Sequence, residues 1–281
     1  MLLLAHAAFP GQFEVATVDH GIREEASDEC AFVAQVCEER GVPCVTLSVE
    51  VAAGNLQAQA RAARYQTLRE WANARGLAAL CTAHHADDQA ETLIMRLNRG
   101  SGVAGLAGAR ADYCSQDDAL RVVRPLLTFR RAELADVVAA SGLNAVKDPS
   151  NDDTRFDRVR IRKALAEADW LDPIAIAQSA QHLADADEAL NYEVGRYWDQ
   201  HVERDGQTIR MRLHPMREMR LRLITRSIRE LGGDPRGGDV ARLDEMFADK
   251  SKGNVAGVMV ELHRNEEGSF LHFSPEPTRR T

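Results

Sequence analysis

The first 150 residues alternate apolar strand patterns with helical patterns, and this alternation restricts the fold more than any other feature. Residues 15–18, 45–49 and 78–82 are predicted strands, and apolar residues at helical spacing follow each one, over about 24–40, 55–75 and 86–100. Strands that alternate with helices form parallel sheets with helices on both faces. The sequence therefore predicts an α/β fold built on a parallel sheet.

The pattern changes near residue 150, at an Asp-Pro-Ser-Asn turn, and we place a domain boundary there. The first predicted domain covers residues 1–150 and the second covers 151–281. Two helices, a short strand and an arginine-rich helix are predicted beyond the turn. Two short strands near 257–262 and 269–273 predict a hairpin. We therefore expect a mostly helical second domain that ends in a short β-hairpin.

The net charge of −8 excludes a protein that is basic over its whole surface. A local basic face stays open, because phosphates need positive charge in one place only. Two arginine-rich segments, 155–163 and 210–229, could supply such a face. For the first of them we predict contacts with an RNA backbone and none with a nucleotide. A solvated helix explains the same pattern.

Five cysteines, an odd number, occur without any Cys-x-x-Cys pair. This pattern argues against a zinc ribbon and against a secreted disulfide framework. It favours a cytoplasmic protein with reduced thiols. No stretch is long and apolar enough to cross a bilayer, so we expect no membrane contact. The sequence leaves the oligomeric state open, with a homodimer among the alternatives.

Segment 84–91, His-His-Ala-Asp-Asp-Gln-Ala-Glu, is the densest group of chemically active side chains. On a helix its apolar residues fall on one face, and Asp87, Asp88 and Glu91 fall on the opposite face. Carboxylates can hold magnesium or an ammonium group, and histidine can bind phosphate or a metal. A helix cap with a solvated acidic face explains the carboxylates alone. Two adjacent histidines at a strand end favour a functional site.

Three other features accompany this segment. Arg61 and Arg64 lie one helical turn apart, a placement that suits a phosphate clamp, although exposed helix arginines usually have no specific role. The segment Arg-Gly-Ser-Gly at 99–102 either caps a helix or lets the backbone approach a phosphate. Asp19 follows the first strand, at the sheet edge where parallel sheets bind ligands.

Seven short motifs stand in one order along the first 165 residues. They are Val-Asp-His-Gly at 18–21, Gly-Asn-Leu-Gln-Ala at 54–58, Arg-x-x-Arg-Tyr at 61–65, His-His-x-Asp-Asp-Gln-x-Glu-Thr at 84–92, Arg-Gly-Ser-Gly at 99–102, Arg-Pro-Leu-Leu at 124–127 and Asp-Pro-Ser-Asn at 148–151. In this order they resemble the tRNA-Ile lysidine synthetases. No single motif is specific, but the set covers about residues 13–165 and is highly specific.

The resemblance implies an adenine nucleotide alpha hydrolase-like domain, which binds ATP, and a two-step reaction on tRNA. ATP adenylates the 2-carbonyl oxygen of the wobble cytidine in an isoleucine tRNA. The amine of free L-lysine then attacks that carbon and expels AMP. The resemblance also implies that Mg2+ assists the reaction.

Residue roles carry over by similarity. Asp88 and Glu91 would hold the lysine ammonium or magnesium, with Asp87 as a further metal ligand. His84 would face the nucleotide phosphates, and Asp19 would lie at the nucleotide pocket. Asp19, His84, Asp88 and Glu91 are thus the catalytic candidates. The nucleotide-binding candidates are Arg61, Arg64, Arg99, Gly100 and Ser101.

The family opens with a strand and a Ser-Gly-Gly-x-Asp-Ser loop, whose backbone amides cradle pyrophosphate. Residues 1–8 instead resemble the later part of the helix that follows this loop. We therefore expect an N-terminally truncated sheet that lacks a central strand. We also expect an added upstream segment to turn a weak activity into that of a ligase.

Two other functions remain open. A metal-dependent phosphoesterase would use Asp19-His20, His84-His85 and Asp87-Asp88 as a two-metal site, but it leaves the arginine pair unexplained. A non-catalytic tRNA-binding remnant fits the basic segments. Lysine binding without metal would count against the first. Pyrophosphate release with tRNA, lysine and ATP would exclude the second.

Overall fold

The computed structural model describes residues 1–19, 21, 25–49, 56–115, 118–145 and 153–276. The chain forms two compact units, Met1–Ala184 and Asp185–Thr281. The division lies inside a long helix, so residues 153–184 belong to the first unit, whereas the boundary expected near residue 150 placed them in the second. Ion pairs of Arg158 and Arg162, described below, hold this stretch to the first unit.

Helices and strands alternate through most of the first unit. Its elements are α1 (Leu2–Ala8), β1 (Val15–Asp19), α2 (Glu25–Glu38), β2 (Cys44–Ser48), α3 (Leu56–Ala74), β3 (Ala79–Cys81), α4 (Ala86–Leu97), α5 (Val103–Leu106), β4 (Asp112–Ser115), β5 (Asp118–Val123), α6 (Arg131–Ala140), α7 (Asp157–Glu167) and the start of α8 (Pro173–His201).

The parallel pairing expected from the sequence is confirmed. β1 runs parallel to β2, with Val15 opposite Cys44, and β3 runs parallel to β5, with Ala79 opposite Arg121. β4 adds to β5 as an antiparallel edge strand. Within the described residues the two groups, β1-β2 and β3-β5-β4, are not hydrogen-bonded to each other. Helix α3 packs on β1, β3 and β5, so one helix contacts both groups.

Helix α3 shows how the sequence builds this layer. The sequence places Ala72 on its apolar face, and Ala72 is fully buried, in one cluster with Leu80 of β3 and Val122 of β5. Gly76 ends the helix with a φ of +65°, a left-handed conformation that glycine adopts without strain. The turn lets the Leu77 amide donate to the Ala72 carbonyl at 2.9 Å. The chain then enters β3, which leads directly to His84.

The second unit combines helices with an antiparallel sheet of strand order β6-β7-β10-β9-β8. It contains the end of α8 and the elements β6 (Val202–Asp205), β7 (Thr208–Arg212), α9 (Arg217–Glu230), α10 (Gly237–Met246), β8 (Lys252–Val255), β9 (Val258–Asn265) and β10 (Gly268–Pro275). β9 and β10 form the hairpin that the sequence indicated, as two of five strands.

The core of the second unit lies between this sheet and its helices. Ile209, Leu271 and Phe273 from the strands pack with Leu223 and Ile228 of α9, each at most 1% exposed. In the part of the chain that the structure describes, no helix has the length and apolar character needed to span a membrane.

Candidate functional site

Helix α4 begins with a capping box at the end of the loop that follows β3. The His85 amide donates to Asp88 Oδ2 at 3.0 Å, and the Asp88 amide donates to His85 Nδ1 at 3.4 Å. This reciprocal pair satisfies amides that a helix start otherwise leaves without partners. Asp88 is therefore a capping residue, as the simpler interpretation of the sequence suggested. Its other oxygen, Oδ1, takes no part in the cap.

Two arginines of α7 bind the carboxylates of α4. Arg158 donates from Nε to Glu91 at 2.6 Å and from Nη2 to Asp88 Oδ1 at 2.5 Å. Arg162 donates from Nε to the other oxygen of Glu91 at 2.7 Å. The Glu91 side chain is only 3% exposed. The hydrogen bond that Arg162 donates to Glu91 raises the pKa of Arg162. The predicted acidic face of α4 is thus a buried ion-pair cluster and not a solvated surface.

Asp87 faces the loop before α6 instead. Its Oδ2 accepts the amide of Arg131 at 2.7 Å, and the neighbouring Ala86 amide donates to the Phe129 carbonyl at 3.0 Å. Asp87 and Asp88 thus accept from different backbone amides, although the His85 ring lies 3.6 Å from Asp87 Oδ2 and 3.4 Å from Asp88 Oδ2, and both oxygens of Asp88 already accept hydrogen bonds. This donor set does not fit the magnesium pair that we expected. Among the described residues, no group of three or more His, Cys, Asp or Glu side chains could hold a metal ion.

His84 lies at the end of the loop between β3 and α4, where its Nδ1 is 2.9 Å from Thr82 Oγ1. The pKa of His84 is lowered to about 4, chiefly by burial and also by the charges of Arg124, Arg61 and Arg158, while Asp88 opposes them. The ring is therefore neutral near pH 7. Guanidinium groups bind phosphate oxygens, so arginines near a neutral histidine suit a phosphate site.

Arg61 and Arg64 both lie on α3. The Arg61 guanidinium stands 5.1 Å from the centre of the Tyr65 ring, a cation–π contact that fixes its direction. Burial, and then the charge of Arg61, lower the pKa of Arg64. Arg61 also acts on His84 electrostatically, so the structure brings this predicted nucleotide-binding residue toward the α4 cluster.

Two predicted groups make no hydrogen bond or ion pair with His84 among the described residues. Arg99, Gly100 and Ser101 follow the far end of α4, whose 12 residues span about 18 Å, and the Arg99 guanidinium lies 3.5 Å from Asp157 Oδ2 at the start of α7. Gly100 has a φ of +65° and the Ser101 amide donates to the Arg96 carbonyl at 3.0 Å, so these residues cap the helix. Asp19 accepts the Gly21 amide at 2.9 Å. No hydrogen bond or ion pair between described residues joins Asp19 to the α4 cluster.

Gln89, in the same motif, has a structural role. Its side chain is almost fully buried and makes two hydrogen bonds of 2.8 Å with the backbone of Ala109. The neighbouring Gly108 leaves room for it, since an added Cβ would lie 2.5 Å from the Gln89 oxygen. Gln89 thus fixes the loop after α5 against α4.

Sequence reasoning missed Arg124 and did not indicate that Arg158 and Arg162 bind the carboxylates of α4. Arg124 follows β5 directly and donates to the Arg110 carbonyl at 2.6 Å, on the side of the sheet that carries His84. Its position in the Arg-Pro-Leu-Leu motif was the available signal. The other predicted features His20, Gly54, Asn55 and the segment 147–152 lie outside the described residues.

Comparisons with known proteins show to which family the chain belongs. Residues 1–169 match the family model described as a PP-loop domain. The chain is 48% identical to a tRNA(Ile)-lysidine synthase of Novosphingobium aromaticivorans, over 100% of this chain and 86% of that protein. It is 36% identical to a tRNA(Ile)-lysidine synthase of Zymomonas mobilis, over 100% and 85% of the two chains.

A solved structure supports the fold alone. The U34-tRNA thiolase NcsA from Methanococcus maripaludis, with its [4Fe-4S] cluster, matches 66% of this chain and 65% of its own length. The TM-score is 0.54 and the sequence identity is 16%, which indicates a shared PP-loop α/β architecture. Because these two relatives align over the whole of this sequence, the chain belongs to the tRNA(Ile)-lysidine synthase family.

Proposed function

We propose that this protein is an ATP-dependent carbon–nitrogen ligase that joins free L-lysine to the wobble cytidine of an isoleucine tRNA. The observation that carries the proposal is the Asp88–Glu91 pair on α4, held by Arg158 and Arg162, in a chain of the tRNA(Ile)-lysidine synthase family. Two carboxylates next to a site that suits phosphate fit a reaction in which an amine attacks an adenylated base.

The chemistry divides between two sets of side chains. Arg61 and Arg124, whose charges act on His84, would bind the ATP phosphates while the 2-carbonyl oxygen of cytidine attacks the α-phosphorus and pyrophosphate leaves. Asp88 and Glu91 would then hold lysine by an ammonium group, so that a free lysine amine attacks C2 and AMP leaves. The products are lysidine in the tRNA, AMP and pyrophosphate.

Magnesium remains a prediction for this chain. Mg2+ commonly bridges the phosphates of bound ATP. Because Asp88 accepts hydrogen bonds on both oxygens, no step above depends on a metal at Asp87 and Asp88. The hydrogen bonds on both oxygens of Asp88 also argue against the two-metal phosphoesterase, which would use Asp88 as a metal ligand. A cytoplasmic location and a homodimer are further predictions.

The test is pyrophosphate release from ATP in the presence of tRNA and lysine, with each component omitted in turn. The proposal predicts release that requires a tRNA with a wobble cytidine, and AMP formation that also requires lysine. A tRNA with uridine at the wobble position is the matched control. Release that ignores the wobble base would contradict the proposed substrate, and AMP formation without lysine would contradict the second step.

A further inference from the structure

All four carboxylate oxygens of the Asp88–Glu91 pair accept hydrogen bonds in this structure. Oδ1 of Asp88 and both oxygens of Glu91 accept from Arg158 or Arg162, and Oδ2 of Asp88 accepts from the His85 amide. Glu91 is buried among these donors, with 3% of its side chain exposed. The pair thus has counterions supplied by the chain itself.

Charge makes these counterions competitors of a lysine ammonium. Two carboxylates and two guanidiniums sum to zero, so a further cation gains little attraction and meets two like charges within one cluster. An ammonium replaces a guanidinium most readily when the guanidinium finds another anion, since the guanidinium otherwise exchanges an ion pair for water. Binding of lysine at this pair is therefore easier when the arginines have another anion to bind.

The two arginines can reach such an anion. Arg158 and Arg162 keep 38% and 26% of their side chains exposed, although their partner Glu91 is buried. They lie on α7, in the basic segment for which the sequence predicts RNA contacts. Guanidinium binds phosphate with the same two-pronged geometry with which it binds carboxylate. A phosphodiester of bound RNA is thus an equivalent partner.

We propose that Arg158 and Arg162 act as a gate on the Asp88–Glu91 pair. In the free protein they neutralise the two carboxylates, and in the RNA complex they move to backbone phosphates and leave the carboxylates to lysine. The arginines are positioning residues in this scheme, because they act on lysine through the carboxylates. The inference rests on the proposed function, and it adds the order in which the substrates bind.

The gate has a thermodynamic signature. If RNA raises the affinity for lysine by some factor, lysine must raise the affinity for RNA by the same factor. Couplings of this kind are typically about 5- to 150-fold. The wild-type chain can be titrated with lysine in the absence and presence of a stem–loop RNA that carries a wobble cytidine. The same RNA is then titrated with and without lysine.

Equal factors of about 5 or more in both titrations support the gate. Equal lysine affinity with and without RNA overturns it, and if that protein still transfers lysine to tRNA, the proposed function survives. Absence of lysine binding under both conditions overturns the gate and the proposed function together. These outcomes need no variant, so a variant that fails to fold does not affect them.

A variant locates the effect. Arg158→Met keeps the aliphatic stem and removes the charge, so it should bind lysine without RNA about 5-fold or more tightly than wild type and show a smaller effect of RNA. Arg158→Lys should retain the RNA dependence. Arg160→Met is the matched control, since Arg160 lies on the same helix, 64% exposed, and pairs with Asp157. Weaker lysine binding by Arg158→Met would make Arg158 a lysine ligand and overturn the gate.

Discussion

The two arginine-rich segments look alike in sequence, but their carboxylate partners differ in kind. In the second unit, Arg222 of α9 binds Asp187 of α8 at 2.7 Å, and Arg220 binds Asp244 of α10 at 2.8 Å. These pairs tie three helices together above a large apolar core. In the first unit, Arg158 and Arg162 bind carboxylates that the sequence had marked as functional.

Exposure distinguishes Arg222 from Arg158. The side chains of Arg222 and Asp187 are 12% and 8% exposed, so water or a ligand can hardly replace either partner. Arg158 is 38% exposed and can exchange its partner. A basic segment therefore indicates function only when its arginines are accessible and their partners belong to a candidate site. The segment 210–229 mainly stabilises the second unit.

The largest expected effect is on lysine transfer. Glu91→Gln keeps the size of the side chain and removes its charge, and we expect at least a 100-fold loss of transfer, because losing a buried ionic partner costs about 3–5 kcal/mol. Affinity for tRNA should not fall, because the arginines released from Glu91 remain free to bind RNA phosphates. Asp244→Asn is the matched variant in the second unit and should keep its activity per folded molecule. Comparable activity losses in both variants would remove the distinction between the segments.

The next effect concerns stability, and here we expect the larger loss in the second unit. Arg222→Met should lower the free energy of unfolding of the second unit by up to about 3–5 kcal/mol, since it leaves Asp187 buried without its cation. Arg158→Met should cost less, about 1 kcal/mol, because water reaches that site. Urea unfolding followed by circular dichroism measures the loss of unfolding free energy in each variant. A larger loss for Arg158→Met would contradict our assignment of Arg222 to the stability of the second unit and of Arg158 to the candidate site.

A smaller effect is expected in the salt dependence of RNA binding. Changing Arg158 and Arg162 to Ala should flatten the slope of log affinity against log salt by about 0.7 for each RNA phosphate that is no longer neutralised. The paired control changes Arg217 and Arg226 of α9, which contact Glu245 and the Trp198 ring. We expect that control to leave the slope unchanged. An unchanged slope in the first double variant would exclude Arg158 and Arg162 from RNA binding.

A last effect is a pH dependence of stability, to which His84 of the first unit should contribute. The pKa of His84 falls from 6.5 to about 4 on folding, so between these values the unfolded chain binds the proton and the folded chain does not. This stability is complete above pH 6.5 and is lost as the pH falls toward 4. His84→Gln, which can still bond Thr82, should flatten the dependence of unfolding free energy on pH in that window. An equally steep dependence in the variant would show that other groups cause it.

Local patterns predicted much of this molecule. Parallel strands, the buried face of α3 and its end at Gly76 follow from apolar spacing and a glycine signal. The pairing of Arg158 with Asp88 does not, because 70 residues separate them and only the path of the chain brings α7 onto α4. The placement of Arg99 was predictable in principle, since the length of α4 alone puts it far from His84. The short strands β6 and β8 carry too few residues for a clear alternation.

The most direct test of the proposed function is ATP-dependent incorporation of labelled lysine into an isoleucine tRNA with a wobble cytidine. The assay compares the wild-type protein with the Glu91→Gln variant. We expect the wild-type protein to transfer one lysine per tRNA with release of one AMP, and Glu91→Gln to abolish the transfer. Undiminished transfer by Glu91→Gln, or no transfer by the wild-type protein, would contradict the proposal.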